Sequence, residues 1–121
     1  MVKWAMVAAA WLVCAVAHGQ SHGVVGEWRE PGGSVIEIYN CGPDICAKLV
    51  AIRTSAPMFV DGHNPDETLR TRPLCGLVIG TGFQAQGEDR AEEGKLYDPK
   101  SGRLYSGAMA VVDGKLKVRG Y

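Results

Sequence analysis

Apolar residues recur at every second position along most of the chain, and this period most constrains the fold. The segment 115–121 alternates cleanly, with Leu116 and Val118 on one face and Lys117 and Arg119 on the other. A period of two is that of a β-strand, whereas an amphipathic helix repeats at about 3.6 residues. The pattern predicts seven strands, at about residues 24–29, 34–40, 45–53, 74–83, 94–98, 103–112 and 115–121.

Turn-forming residues separate these runs. Asp113-Gly114 lies between two alternating runs and is the strongest short-range signal for a hairpin. The segment 98–102 predicts a type I turn that ends on a glycine able to adopt a positive φ, and 29–34 predicts a further turn. Strands joined by hairpins at such regular spacing form an antiparallel meander. We therefore predict an all-β fold, a small antiparallel meander that curls into a barrel.

Size and charge exclude several classes of protein. With 121 residues, the chain has room for one domain and one modest core. The 13 Lys and Arg side chains balance the 13 Asp and Glu side chains, so the composition indicates neither a nucleic-acid partner nor an anionic membrane surface.

The first seventeen residues have the pattern of a secretory signal. Lys3 supplies a positive start, and residues 4–17 carry no charge. A helix of that length spans about 21 Å, short of the ~30 Å hydrocarbon core, so a single membrane anchor is the weaker alternative. Ala15-Val16-Ala17 has the small-x-small pattern of a cleavage site, with Gly19 as a second choice. We expect a signal peptide at 1–17, a flexible tail at 18–23 and one domain at 24–121, located in the periplasm or secreted, and not an integral membrane protein.

In such an oxidising compartment the cysteines can form disulfides. Cys41 and Cys46 bracket a four-residue tip between two strands, and pairing of these strands would bring the two Cα atoms within the ~4.4–6.8 Å of a disulfide. We predict a Cys41–Cys46 disulfide. Cys75 has three readings: a buried small apolar residue, a partner of one of the other two cysteines, or a reactive thiol. The cysteines and histidines lack metal-ligand spacing, so neither a metal site nor a cofactor is predicted.

The most polar stretch of the chain lies between Asp61 and Arg72. Asn64 can act as an N-cap, with Pro65 at the first helical position and Glu67 at the third. This pattern predicts one short helical connector between two strands. Arg72 could bind a ligand carboxylate at the mouth of a barrel or pair with Asp61, and pairing is the favoured interpretation.

Several stretches resemble a known family. Gly26-x-Trp28 on the first strand resembles the lipocalin signature, in which the tryptophan plugs the closed end of a small barrel. With the stretches 41–50, 61–66, 69–79, 94–107 and the final LKVRGY, the chain resembles an exported bacterial family catalogued as domain of unknown function two-one-four-seven. The resemblance implies a lipocalin-like β-barrel, secreted or periplasmic, with no established activity. It marks as family positions Asp61, Asn64, Arg70, Arg72, Tyr97, Asp98, Pro99, Gly102 and Tyr105.

The chain departs from this family in two places. The acidic segment 84–95 lacks the usual family tryptophan, and we predict an exposed loop there. The sequence stops after Gly120-Tyr121, where the family usually continues through another strand. We therefore expect a barrel that lacks a closing strand and is incomplete at its C-terminus. An exposed edge beside segment 115–121 would favour a homodimer.

Three functions fit these observations. The first is an exported cell-envelope barrel that binds a small apolar or amphipathic ligand, and the second is a structural or protein-interaction module without a ligand. A hydrolytic enzyme is the least favoured, because no catalytic motif is present and Tyr97 and Tyr105 are explained as a cross-strand aromatic pair. No catalytic residues are assigned. The candidate ligand-binding residues are Trp28, Asp61, Asn64, Arg70, Arg72, Tyr97 and Tyr105.

The signal-peptide prediction has a direct test. The exported chain is expected to begin at His18, and the intact mass of the protein recovered from the periplasm or the medium checks this. A mass corresponding to a start at Gln20 would move the cleavage site to Gly19. A chain that retains residues 1–17 in the membrane fraction would contradict the prediction.

Overall fold

The computed structural model describes residues 11–13, 23–53 and 59–121. Its strands are β1 (Trp11–Val13), β2 (Gly26–Arg29), β3 (Val35–Cys41), β4 (Asp44–Arg53), β5 (Val78–Ala85), β6 (Arg90–Asp98), β7 (Arg103–Val112) and β8 (Lys115–Gly120). One 3-10 turn, Glu67–Leu69, lies between β4 and β5. The all-β prediction with a short helical connector is confirmed.

The strands from β2 to β8 form one antiparallel meander in sequence order. The short β1 lies off this path and pairs with the end of β4. Register shifts in the β3–β4, β4–β5 and β6–β7 pairs mark bulges, which increase the local twist and bend the sheet. The seven strands curl into a nearly closed barrel. Among the described strands, β2 pairs only with β3 and β8 only with β7, so a slot separates β2 from β8.

The meander gives the barrel two different ends. The hairpin tips after β3, β5 and β7 lie at one end, where Val24 N–H also donates to the carbonyl of Glu88 at 2.8 Å. The 30–34 turn, the 99–102 turn and the connector between β4 and β5 lie at the opposite end. We call the first the closed end and the second the mouth.

Phe83 fills the closed end. Its ring is completely buried and packs in one cluster with Val24, Ile38, Ile45, Ala47, Ala91 and Met109. Glycines on three adjacent strands line the ring: a Cβ added to Gly80, Gly94 or Gly107 would lie 3.1, 2.4 or 3.1 Å from a ring atom of Phe83. The ring therefore rests on backbone that carries no side chains, which a close-packed interior permits only at glycine.

Two strands, β5 and β6, begin four residues away from their predicted start. β5 begins at Val78 and not at 74, because residues 74–77 form a turn in which Leu77 N–H donates to Leu74 at 3.0 Å. β6 begins at Arg90, so most of the predicted loop 84–95 is hairpin, and that prediction is wrong. Ala91 and Gly94 are buried, but a bulge between them, with Glu93 at φ 63°, interrupts the alternation that would have revealed the strand.

The disulfide prediction is confirmed, since Cys41 and Cys46 are bonded with a Cα–Cα distance of 5.9 Å. In the full-length chain Cys75 is disulfide-bonded as well, and its partner is neither Cys41 nor Cys46, which bond to each other, so the alternative that Cys75 pairs with one of these two is wrong.

No helix within the described part of the chain is long and apolar enough to cross a membrane.

The close contact of the Phe83 ring with Gly80, Gly94 and Gly107 predicts that one added methyl group would strongly lower the stability of the fold. Gly94→Ala is expected to lower the free energy of unfolding by about 3 kcal/mol, because its Cβ would overlap the buried ring. Urea denaturation monitored by circular dichroism measures this. Gly32→Ala is the matched control, since the nearest atom to its added Cβ is 4.0 Å away. Equal stabilities of the two variants would contradict the packing argument.

Candidate functional site

The mouth opens into a cavity with a volume of about 1410 Å³, which extends along β8 beside the slot. Most of its aliphatic wall comes from the inward faces of the strands, where the alternation of side chains makes the lining apolar, and the turns and the connector supply the rest. The aliphatic lining includes Ile36, Leu49, Ile52, Ile79, Leu96 and Leu116, and the aromatic lining consists of Trp28, Tyr97 and Tyr105.

Trp28 joins the closed-end core to this cavity. The ring packs against the core cluster and also lines the cavity. Its indole N–H donates to the carbonyl of Val24 at 2.8 Å, so the one polar atom of the side chain is satisfied within the protein. Trp28 is thus held in one position between the plugged end and the open volume.

A short antiparallel pair forms the base of the connector at the mouth. Val60 and Pro73 form a β-bridge, and Asp61 N–H donates to the carbonyl of Arg72 at 3.0 Å. Both ends of residues 61–72 are therefore tied together. The loop between them can keep a defined shape although it contains only one turn of 3-10 helix.

The predicted N-cap of the connector is wrong by two residues. Asp66 is the N-cap, and its carboxylate accepts from the N–H of Thr68 at 3.0 Å. Asn64 instead accepts from the N–H of Asp66 at 2.8 Å through its side-chain oxygen. Asn-Pro is a good helix start and predicts a cap at Asn64, but the Asn64 side-chain amide donates to the carboxylate of Asp61 at 2.9 Å.

Asp61 is the centre of a buried polar network. Its carboxylate is completely buried and accepts three hydrogen bonds, from Tyr97 Oη at 2.6 Å, Asn64 Nδ2 at 2.9 Å and Arg72 Nε at 2.9 Å. Arg72 also lies over the Tyr97 ring, with 5.8 Å from its guanidinium carbon to the ring centroid. The favoured Asp61–Arg72 pairing is confirmed.

The network shifts the acidity of two groups in opposite directions. Burial raises the pKa of Asp61, but the hydrogen bonds from Tyr97, Asn64 and Arg72, with the Arg72 charge, outweigh it and hold the pKa below 3.8. Burial and the Asp61 carboxylate raise the pKa of Tyr97 to about 12. At neutral pH Asp61 is therefore ionised and Tyr97 is protonated, which is the pair of states that the hydrogen bond requires.

The connector also packs on the turn between β6 and β7. Arg70 Nε donates to the carbonyl of Asn64 at 2.7 Å, which braces the loop internally. Gly102, with φ +74°, comes so close that an added Cβ would lie 1.9 Å from the carbonyl oxygen of His63. Only glycine permits both this backbone conformation and this approach. The connector, β6 and the 99–102 turn thus form one rigid rim.

The candidate binding residues fall into two groups. Asp61, Asn64, Arg72 and Tyr97 meet in the network, and Arg70 joins it through the backbone of Asn64. Trp28 and Tyr105 stand apart from the network and line the cavity, as Tyr97 also does.

Tyr97 and Tyr105 are not a cross-strand pair. The register places Leu96 opposite Tyr105 and Tyr97 opposite Leu104, so the two tyrosines lie on different faces of the β6–β7 pair. The number of residues in the turn sets which residues of β6 and β7 lie opposite each other. With the 98–102 turn, the two tyrosines are one residue out of register.

The aliphatic lining of the cavity carries no sequence signal that marks it as part of a site. Ile36, Leu49, Ile79 and Leu96 are ordinary core residues by type, and the period-two alternation was the available signal. That signal shows which residues face inward, but it does not distinguish a filled interior from an open one. Among the described residues, no cluster of three or more His, Cys, Asp and Glu side chains could hold a metal ion.

Comparisons with known proteins agree with this architecture. A family described as "Uncharacterized protein conserved in bacteria (DUF2147)" matches residues 26–121. A solved structure, described as "Protein HP1028 from the human pathogen Helicobacter pylori belongs to the lipocalin family", aligns with a TM-score of 0.67 and 19% sequence identity, over 85% of this chain and 73% of that one. No curated protein sequence matches the chain.

The Asp61 network predicts a specific loss of stability. Asp61→Asn is expected to lower the free energy of unfolding at pH 7 by about 2 kcal/mol, because hydrogen bonds to a buried charged group contribute about 1.5–3 kcal/mol each and Arg72 is partly exposed. Urea denaturation measures it. Asp66→Asn is the matched control, since the amide oxygen can still accept from Thr68 in an exposed position.

The difference in unfolding free energy between wild type and Asp61→Asn is also expected to depend on pH. The pKa of Asp61 is lower in the folded chain, so its contribution is present above its unfolded pKa of about 3.9 and is lost as the pH falls through the folded value. The stability difference between wild type and Asp61→Asn should therefore be constant from roughly pH 5 to pH 8 and shrink below about pH 4. A difference that grows on acidification would contradict an ionised Asp61.

Proposed function

Because the chain belongs to the bacterial DUF2147 family and has a lipocalin-like fold, we propose that it is an exported cell-envelope protein that binds one small apolar or amphipathic molecule. The signal-peptide pattern at residues 1–17 supports export. The Cys41–Cys46 disulfide is consistent with an extracytoplasmic location, because such bonds persist in oxidising compartments.

The cavity at the mouth is the observation that carries this proposal. Its volume of about 1410 Å³ exceeds the ~300–1,000 Å³ of common small-molecule sites, even though its lining is mainly aliphatic and aromatic. Interiors of small proteins are normally filled by side chains. An apolar volume of this size, open at the mouth, suits a molecule with a hydrocarbon or aromatic body.

Polar groups at the rim favour an amphipathic ligand. His63, Asp98 and Lys100 line the cavity where it meets solvent, whereas Leu49, Ile79 and other aliphatic residues line it further in. A molecule with one polar end would keep that end hydrated at the rim and bury the remainder. Burial of apolar surface contributes about 25 cal/mol per Å², so the buried part would supply most of the affinity.

The Asp61 network would act on binding by holding the rim and not by contact. Asp61, Asn64, Arg70 and Arg72 do not line the cavity, but they fix the connector beside Tyr97, which does. A site that is already formed before binding loses less conformational entropy when the ligand enters. We therefore assign these four residues to the support of the site, and Trp28, Tyr97 and Tyr105 to its wall.

A structural or protein-interaction module without a ligand is the second candidate. Its support is that β8 pairs only with β7 among the described strands. A hydrolytic enzyme has the least support. The carboxylates of Asp61, Asp66 and Asp98 each accept hydrogen bonds from their own surroundings, which assigns them structural roles.

A native mass spectrum of the exported protein separates the first two candidates. Extra mass that disappears on denaturation would support the binding barrel and indicate the class of the ligand. A bare chain that also fails to bind the probe described below would overturn the proposal in favour of an interaction module.

Trp28 provides a second readout. The sequence contains 3 tryptophans, and two of them, Trp4 and Trp11, lie in the predicted signal peptide. Trp28 would therefore be the single tryptophan of the processed protein. A fluorescent polyene fatty acid, whose absorption overlaps tryptophan emission, is expected to quench Trp28 in a saturable manner. Unsaturable quenching would indicate collisions with solvent-borne probe and would contradict a site.

Paired leucine variants locate the site within the barrel. Leu96→Gln is expected to weaken binding of the polyene fatty acid by about tenfold, because it places an amide in the apolar wall. Leu104→Gln is the control on the neighbouring strand, since Leu104 is 67% exposed and lies opposite Tyr97 and not Leu96. Equal affinities of the two variants would place the probe outside the cavity.

A further inference from the structure

The turn between β6 and β7 holds the backbone of Lys100 in a fixed place at the mouth. The carboxylate of Asp98 accepts from the N–H of Lys100 at 3.0 Å and from the hydroxyl of Ser101 at 2.9 Å. The carbonyl of Asp98 accepts from the N–H of Gly102 at 2.7 Å. Gly102 also packs against the carbonyl of His63, so the turn is fastened to the connector. Lys100 is therefore carried by a rigid part of the rim.

The side chain of Lys100 reaches from this turn to the turn between β2 and β3. Its Nζ lies 4.0 Å from the position that a Cβ on Gly32 would occupy, and Lys100 also lines the cavity. Gly32 belongs to the 30–34 turn, which comes from a different hairpin at the mouth. Lysine side chains keep the aliphatic stem on apolar surface and the ammonium in water. Lys100 thus places a positive charge where the polar end of a bound amphiphile would lie.

This ammonium group is available to a ligand. Within residues 23–53 and 59–121, no carboxylate forms an ion pair with Lys100 and no acceptor takes a hydrogen bond from its Nζ. Asp98, two residues away in the chain, uses both carboxylate oxygens within its own turn. A lysine ammonium has three N–H donors and no acceptor. It therefore binds groups that bring acceptor oxygens, and negatively charged ones most strongly.

Building on the proposed binding function, we propose that the ligand is an anionic amphiphile and that Lys100 binds its charged head. The head is a carboxylate or a phosphate group, because both present charged acceptor oxygens to an ammonium. The hydrocarbon body would lie against the aliphatic wall, which includes Leu96 and Ile79. Because the 99–102 turn is already rigid, little backbone freedom is lost when the head binds.

Glu30 is the charge at the mouth that opposes this assignment. It lines the cavity from the 30–34 turn, and its carboxylate forms no ion pair with any residue that the structure describes. Such a carboxylate would repel an anionic head and attract a cationic one. The charge of the preferred head therefore shows whether Lys100 or Glu30 selects the ligand. The fixed turn and the reach of Nζ to Gly32 favour Lys100.

Four compounds with the same alkyl chain test the charge preference. Dodecanoate, dodecyl phosphate, dodecanol and dodecylamine are ranked by how well they displace the polyene fatty acid from the exported protein. The two anions are expected to bind about fivefold tighter than dodecanol, and dodecylamine should bind weakest. The tighter of the two anions indicates whether a carboxylate or a phosphate is the natural head. Dodecylamine binding as tightly as dodecanoate would overturn the proposal in favour of Glu30.

A neutral variant assigns the preference to Lys100. Lys100→Gln is expected to weaken dodecanoate binding about fivefold and to change dodecanol binding by less than about twofold, because only the anion loses an ion pair. Lys100 is exposed and its backbone bonds remain, so the variant should fold. Lys95→Gln is the matched control, since it removes the same charge from an exposed position on β6 outside the cavity lining. Equal losses in both variants would indicate general charge attraction and overturn the assignment.

Charge changes in the opposite direction supply the reciprocal test. Lys100→Glu should invert the order of dodecanoate and dodecylamine, and Glu30→Gln should tighten dodecanoate binding by removing a like charge. An unchanged order of the four compounds in Lys100→Glu would overturn the role of Lys100.

The outcomes separate this proposal from the proposed function. If the polyene fatty acid and all four dodecyl compounds fail to bind, the binding barrel is wrong and the role of Lys100 falls with it. If the four compounds bind equally well and Lys100→Gln changes none of the affinities, the barrel binds a ligand but Lys100 does not select its head.

Discussion

The fold depends on the contact between one phenylalanine ring and the bare backbone of three strands. Phe83 has the largest completely buried side chain in the described part of the chain, and it can occupy the closed end only because Gly80, Gly94 and Gly107 carry no Cβ. The ring brings β5, β6 and β7 together and fills the interior at that end. The remaining interior lies towards the mouth, where small and medium aliphatic residues leave a volume open.

Asp61 plays the corresponding role at the mouth with polar chemistry. A buried carboxylate is tolerated only when hydrogen bonds and charge compensate its desolvation, and Tyr97, Asn64 and Arg72 supply three such bonds. Because Tyr97 belongs to β6 and the other three residues to the connector, the network fastens a loop to the sheet. One end of the barrel is thus closed by apolar packing, and the other is framed by a rim that stays open.

Local signals in the sequence were sufficient for most of the fold. Period-two alternation and Asp113-Gly114 predicted the meander, and the spacing of Cys41 and Cys46 predicted the disulfide. The predictions were wrong where a bulge or a contact with another part of the chain overrode the local preference. The bulge next to Glu93 concealed the start of β6. The attraction of Asn64 to Asp61 moved the cap to Asp66.

The all-β class and the strand order can be predicted from the amino-acid sequence, and Asp61–Arg72 pairing is favoured by it, because each depends on residues that are close in the chain or on a repeating pattern. The contact between Tyr97 and Asp61, 36 residues apart, and the placement of Tyr97 and Tyr105 on different faces follow from the three-dimensional fold alone. The cavity at the mouth is likewise a property of the three-dimensional fold. Such features depend on register and on how side-chain volumes add up across several strands, and neither quantity is encoded in any one segment.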